Sequence, residues 1–126
     1  MNKALFDQGM KIRRAVLGDE YVDKAMKAAD AFNMPMQELT TEYCWGYVWG
    51  RDGLPRKTRS MLNLAMLSAL NRPHELKMHV KGALTNGVTR EEIREILMQV
   101  AIYGGMPAAV DSFRIAREVF AEIDKA

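Results

Sequence analysis

The sequence predicts an all-α protein, on three observations. Apolar residues recur at i, i+3, i+4 and i+7 along segment after segment, which is the spacing of one face of a helix. Glycine and proline fall where helices end and begin. No stretch alternates polar and apolar residues in the manner of a strand. The 126 residues, 48% of them hydrophobic, have the material for one domain over 1–126, a helical bundle of about six to seven helices. A chain of this size buries its apolar surface incompletely, so some faces are expected to be covered by a partner chain.

Ala4 to Leu17 carries Leu5, Ile12, Val16 and Leu17 among charges and forms a first amphipathic helix, stopped by Gly18. Asp19 is the expected N-cap of a second helix, which runs through Tyr21, Val22 and Met26 to Phe32. Asn33-Met34-Pro35 is a break, and Pro35 opens the third helix, Met36 to Trp49. On that helix Glu42, Trp45, Gly46 and Trp49 share one face, a carboxylate beside two indoles. Gly46 costs roughly 1 kcal/mol of helix propensity relative to alanine. Its presence predicts a close approach there, by another backbone or by a ligand.

A loop, Gly50 to Pro55, follows, and Arg51, Arg56, Lys57 and Arg59 cluster in and beyond it. The fourth helix, about Pro55 to Leu70, carries apolar residues on every side and reads as buried all round. Pro73 opens the fifth, on which Leu76, His79, Val80, Ala83 and Leu84 form one face. Four of these five are apolar; the fifth is an ionisable ring. Gly87 supplies a left-handed stop, and Thr89 with Glu92 has the spacing of a capping box for the sixth helix. The sixth places Ile93, Ile96, Leu97, Val100 and Ala101 on one stripe, Tyr103 to Pro107 breaks it, and the seventh extends from Pro107 to about Ile123.

Charge and composition exclude several classes. Eighteen basic and sixteen acidic residues give a net charge of +2, too balanced for a nucleic-acid binder. No apolar segment approaches a membrane span. Met1 to Leu17 is charged along its length and lacks the apolar centre of a signal peptide. The single cysteine, Cys44, excludes an internal disulfide. These features predict a soluble, cytoplasmic protein. Ten methionines point to adaptable packing in the core or between subunits.

Each candidate site residue has a bland reading beside the sharp one. His79 is a catalytic ring or a core histidine with one satisfied hydrogen bond. Glu42 is an acid–base group, a buried helix-to-helix hydrogen bond, or an ion pair between subunits. Trp45 and Trp49 suit a core or an interface. The basic cluster anchors an anion, because arginine forks match carboxylates, or it is a solvated loop. Cys44 reads as a small buried hydrophobe and His74 as exposed, while Tyr103, before two glycines, reaches a pocket or is a core tyrosine. No metal constellation appears, since His74 and His79 lack a matching carboxylate spacing. Phosphate loops, dinucleotide fingerprints and nucleophile elbows are absent from the sequence.

Five strings together resemble the γ-carboxymuconolactone decarboxylase family. They are Glu42-Tyr43-Cys44-Trp45-Gly46; Gly53-Leu54 followed by Lys57-Thr58-Arg59-Ser60; Leu64-Ala65-Met66-Leu67; His79 through Thr89; and Ile102 through Ala109. The resemblance spans about Gly9 to Phe120. It implies an all-helical fold like that of alkylhydroperoxidase D (AhpD-like), usually assembled as a hexamer, a trimer of dimers. It also implies a place in protocatechuate and β-ketoadipate aromatic catabolism. Peroxidase members of the wider superfamily carry Cys-x-x-Cys-x-x-x-His. Here His79 matches the histidine, but Glu75 and Arg72 stand where the cysteines would be. With one thiol per chain, a dithiol cycle is not available within it.

The activity so implied is loss of carbon dioxide from a small lactone dicarboxylate, yielding 3-oxoadipate enol-lactone. The departing carboxylate sits on a ring carbon conjugated to the lactone carbonyl, so the substrate is its own electron sink. No cofactor and no metal is then required. The protein must hold the carboxylate that stays, surround the one that leaves with apolar groups, meet the charge that develops on the carbonyl oxygen, and protonate the ring carbon. For that chemistry, Arg59, Arg51 or Arg56 would be the anchor and Trp45 and Tyr43 the pocket walls. His79 would be the oxyanion donor or the acid, and Glu42 would orient it or relay the proton. The competing readings are a redox or stress protein of the same fold, and a non-catalytic oligomer that binds a small acid.

Overall fold

The computed structural model describes all 126 residues and contains helices and no strands. The all-α expectation and the helix count both hold. No helix is long and apolar enough to cross a membrane. The chain divides into two compact units, Met1–Pro55 and Arg56–Ala126.

The first unit contains α1 (Lys3–Leu17), α2 (Asp19–Ala28) and α3 (Met34–Leu39), which runs without a break into a π-helical stretch, Thr40–Val48. Asn2 caps α1 by accepting the Leu5 N–H at 3.1 Å. Gly18, at φ 91°, ends α1 and itself stands at the N-cap of α2, so Asp19 is the first helical residue rather than the cap. Arg14 ties the junction by bonding Asp19 and Asp23. The second helix stops at Ala28, short of the expected Phe32, which is 93% exposed. The cause is local. Asp30 Oδ1 accepts the N–H groups of Phe32 and Asn33, so the side chain takes amides that a longer helix would have used.

The expected third helix begins as read, with Pro35 in its first turn. Its second half departs from the α pattern. Trp49 N–H donates to Cys44 O, five residues back, at 3.0 Å, and the helix is wider there than an α-helix. The buried face survives this change: Thr41, Glu42, Trp45, Gly46 and Trp49 point inward. What they face is α1. A Cβ on Gly46 would lie 2.5 Å from the Leu5 carbonyl oxygen. The close approach predicted at Gly46 is therefore made by a backbone. Gln8 seals the crossing by donating from Nε2 to Gly46 O at 3.1 Å.

The second unit contains α4 (Arg56–Ala69), α5 (Pro73–Thr85), α6 (Arg90–Tyr103) and α7 (Met106–Lys125). Its core is Leu64, Leu76, Val80, Ala83, Val88, Ile93, Leu97, Ile115, Ala116 and Val119. Gly87 adopts φ 91° just past α5, and the Thr89–Glu92 capping box forms in both directions, at 3.0 and 2.9 Å. The reading of α4 as buried all round is corrected. Only Ser60, Leu64 and Ser68 are buried on it, while Leu62, Met66 and Leu70 are exposed. An apolar helix surface records a need for cover without saying which chain supplies it.

Candidate functional site

The residues expected to carry chemistry are divided between the two units. Glu42, Tyr43, Trp45 and Arg51 belong to the first, and His79, Arg56 and Arg59 to the second.

In the first unit, Glu42 is buried on the π-helical stretch, and its Oε1 accepts the Asn2 backbone N–H at 2.6 Å. This is the helix-to-helix hydrogen bond that its bland reading anticipated. Trp45 is buried and tilts against Trp49, with ring centroids 4.9 Å apart. Tyr43 and Cys44 point outward from the same stretch. Cys44 is thus not a core residue, and this corrects the expectation. The thiol remains partly covered at the sulfur, and that burial pushes its pKa up despite the opposing influence of Arg13. Arg51 is exposed, with its guanidinium 5.6 Å from the Tyr47 ring centroid.

In the second unit, His79 sits on the inner face of α5 beside Leu76, Val80 and Ala83, and is 7% exposed. Burial holds its pKa below the ordinary imidazole value, and Glu75, one turn earlier, pulls weakly the other way. The ring is therefore neutral at pH 7. Arg59 is partly buried on the first turns of α4, whereas Arg56 is exposed. Lys57 pairs with Glu92 at 3.2 Å and so serves the start of α6. His74 is exposed as expected, but Tyr103 is 87% exposed and is not a core residue. No three histidine, cysteine or acidic side chains come together as a metal site.

The depressed His79 pKa makes stability depend on pH. The unfolded chain binds this proton near pH 6.5, and the folded chain only at lower pH. The contribution is complete above about pH 6.5 and is lost as pH falls from there through the folded value. The urea midpoint is expected to drop on acidification from pH 7 to pH 5, and to drop less in His79→Gln. Equal slopes in the two proteins would contradict the assignment.

An apolar groove of about 540 Å³ runs along α4 and α6, lined by Met61, Leu62, Ala65, Met66, Val100 and Tyr103 among others. Of the candidate residues only Tyr103 lines it; His79, Glu42, Tyr43, Trp45, Arg51, Arg56 and Arg59 do not. One charged side chain escaped the sequence reading, Arg13, which is 5% exposed in the first unit. Its signal was spacing: Gly9, Ile12, Arg13, Val16 and Leu17 share the buried face of α1.

Comparison with known proteins places this geometry in context. Residues 35–118 match the model of the carboxymuconolactone decarboxylase family. The chain is 42% identical over 126 residues to a nitrosuccinic acid decarboxylase of Metarhizium robertsii, covering 99% of this chain and 88% of that one. It is 38% identical over 118 residues to a 4-carboxymuconolactone decarboxylase of Acinetobacter baylyi, covering 94% and 88%. A 4-carboxymuconolactone decarboxylase of Pseudomonas putida is 43% identical over 44 residues, which is 35% of this chain and 92% of that sequence.

Proposed function

Because the chain belongs to the carboxymuconolactone decarboxylase family, we propose that it is a decarboxylase of a small, activated dicarboxylate, and that 4-carboxymuconolactone is its substrate. The observation that carries this reading is the 38% identity to the Acinetobacter baylyi 4-carboxymuconolactone decarboxylase over 94% of the chain. A second reading, nitrosuccinic acid as substrate, is favoured by the 42% identity to the Metarhizium robertsii enzyme over 99% of the chain.

The two substrates share a logic. Each bears one carboxylate that leaves and one that stays. Each has an electron sink placed to accept the pair released when the carbon–carbon bond breaks. In the lactone the pair travels through the conjugated ring to the carbonyl oxygen; in the nitro acid it moves onto the nitro group. A proton then returns to carbon. Neither route calls for a cofactor.

In this reading His79 donates a hydrogen bond to the oxygen on which charge develops. Its buried, neutral ring supports the donor role over the acid role near pH 7, because a neutral imidazole keeps one N–H and gives up no proton cheaply. Arg59, partly buried, is a better anchor for the retained carboxylate than exposed Arg51 or Arg56, since water screens charge pairs at the surface. Tyr43 points outward and Trp45 inward on the π-helical stretch of the first unit, so the two do not wall one pocket, and Glu42 is held there by the Asn2 N–H. The protein acts in the cytoplasm, within aromatic catabolism, as a homo-hexamer arranged as a trimer of dimers. Leu62, Met66, Leu70, Ile102 and Met106 stand exposed on the second unit, which supports self-association.

The test is turnover. Purified protein is mixed with freshly generated 4-carboxymuconolactone and, separately, with nitrosuccinate, and ultraviolet absorbance and carbon dioxide are followed. Turnover of the lactone is the expected result. Turnover of nitrosuccinate alone selects the second reading, and turnover of neither overturns both.

A further inference from the structure

The stretch from Met36 to Val48 has apolar residues on two opposite sides. Trp45 and Gly46 turn inward with Thr41 and Glu42, against α1. Met36, Leu39, Tyr43, Tyr47 and Val48 stand exposed on the other side. Their spacing of three to four residues makes one stripe along the helix, and no charged residue interrupts it. A helix that is apolar all round is one that becomes covered all round.

The second unit presents the opposite shape. Its groove of about 540 Å³ along α4 and α6 is lined by Met61, Leu62, Ala65, Met66, Val100 and Tyr103 among others, with no charged side chain. Leu62, Met66 and Tyr103 are exposed in the single chain. Ala65 and Ala69 are short enough to let another helix come close, and methionines adapt to what they meet. Groove and stripe agree in length. Thr58 to Ala69 and Met36 to Tyr47 each cover eleven residue steps, on the order of 16 Å.

The charges at the ends agree on a direction. Lys57 pairs with Glu92 where α4 and α6 start, and Ala69 lies beside Gly104 where they end, so the two helices run the same way. At the starting end a hollow continues the groove, sharing Met61, Ile96 and Gln99 with it, and adds Glu91, Glu92 and Glu95 against one cation, Arg94. Arg72 stands exposed past the other end. The stripe carries Glu38 near its beginning and, past its end, Arg51 over the Tyr47 ring. Laid antiparallel to α4, it sets Arg51 against the acidic hollow and Glu38 toward Arg72.

We infer that the Met36–Val48 stripe of one copy of this chain lies in the α4–α6 groove of a second copy, as an amphipathic helix lies in an apolar groove. Stripe and groove are different surfaces, so the contact is head-to-tail. Each copy gives a stripe to one neighbour and a groove to another, the arrangement that closes into rings. The contact gives named residues to the self-association stated above, and it holds whichever acid is turned over.

The experiment reads mass by light scattering after size-exclusion chromatography. The unaltered protein is expected at a multiple of 14.3 kDa. Tyr43→Glu puts a charge on the stripe and Met66→Glu puts one in the groove. Both positions are exposed in the single chain, so the fold is expected to be kept, which circular dichroism checks. Leu39→Glu and Leu62→Glu replace them if either does not fold. Each variant alone is expected to be smaller than the unaltered protein, because every contact then has one damaged face. Mixed together, they are expected to form a complex larger than either alone, because the sound stripe of Met66→Glu meets the sound groove of Tyr43→Glu. A monomeric unaltered protein, a variant that keeps the full mass, or a mixture no larger than the separate variants overturns the contact. Loss of mass in Met66→Glu but not in Tyr43→Glu overturns it in favour of a groove-to-groove pair. Turnover by a monomeric protein leaves the decarboxylase and removes the contact. Assembly that both variants break and their mixture restores, in a protein that turns over neither acid, does the reverse.

Discussion

His79→Ala is expected to lower kcat by about 10²–10³-fold, the usual consequence of removing one donor to a developing oxyanion. The ring stands among Leu76, Val80 and Ala83 on α5, with burial keeping it uncharged. A neutral donor in a dry site serves the transition state more than the ground state, so kcat should fall while KM moves little. His79→Gln retains an N–H donor and should recover part of the loss. Charging the ring on acidification keeps its N–H, so a donor role predicts no loss of kcat as pH falls through the lowered His79 pKa. Steady-state kinetics of the two variants across pH 5–8 checks all of this, with urea unfolding as a control for stability. A His79→Ala enzyme of unchanged kcat would remove the residue from the chemistry.

The largest expected loss of stability is at Gly9. A Cβ there would overlap the Thr41 carbonyl oxygen and lie 2.8 Å from its carbon and 2.9 Å from Gly46 N. All three are backbone atoms, so no side chain can swing away. Either α1 or the π-helical stretch must move, and the packing of the whole first unit moves with it. Gly9→Ala should cost about 3 kcal/mol or more, in the diagnostic tail of single substitutions. Gly53→Ala is the matched control, because nothing lies within 4 Å of a Cβ there and its φ is not positive. It should change stability by no more than about 0.5 kcal/mol. Urea midpoints followed by circular dichroism compare the two. A Gly9→Ala protein as stable as Gly53→Ala would contradict the close crossing of α1 and the π-helical stretch.

Helix positions were legible because their signals are local. Gly18, Gly87, Pro35, Pro73 and the Thr89–Glu92 pair act within one turn of chain, and each does in the structure what its residue type dictates. The overrun to Phe32 was also a local matter, decided by Asp30 capturing two amides. The π geometry was not legible. Nothing in the residue types of Thr40–Val48 separates a carbonyl paired four residues ahead from one paired five ahead. The exposure of α4 was illegible for a different reason, since its apolar text is the same whether the cover is its own chain or another. At the candidate site, periodicity picked out His79 and Glu42, and both are buried. The same periodicity marked Arg13, but a charged residue in a charged helix draws no notice until its neighbours are known.

Both tryptophans of the chain, Trp45 on the π-helical stretch and Trp49 just past its end, tilt against each other in the first unit. Intrinsic tryptophan emission therefore originates entirely within Met1–Pro55. Far-ultraviolet circular dichroism, which sums all helices, draws on both units. Recorded together during denaturation, the two signals distinguish one cooperative transition from two. The arrangement of two side chains thus equips the protein with a built-in optical reporter for half of itself.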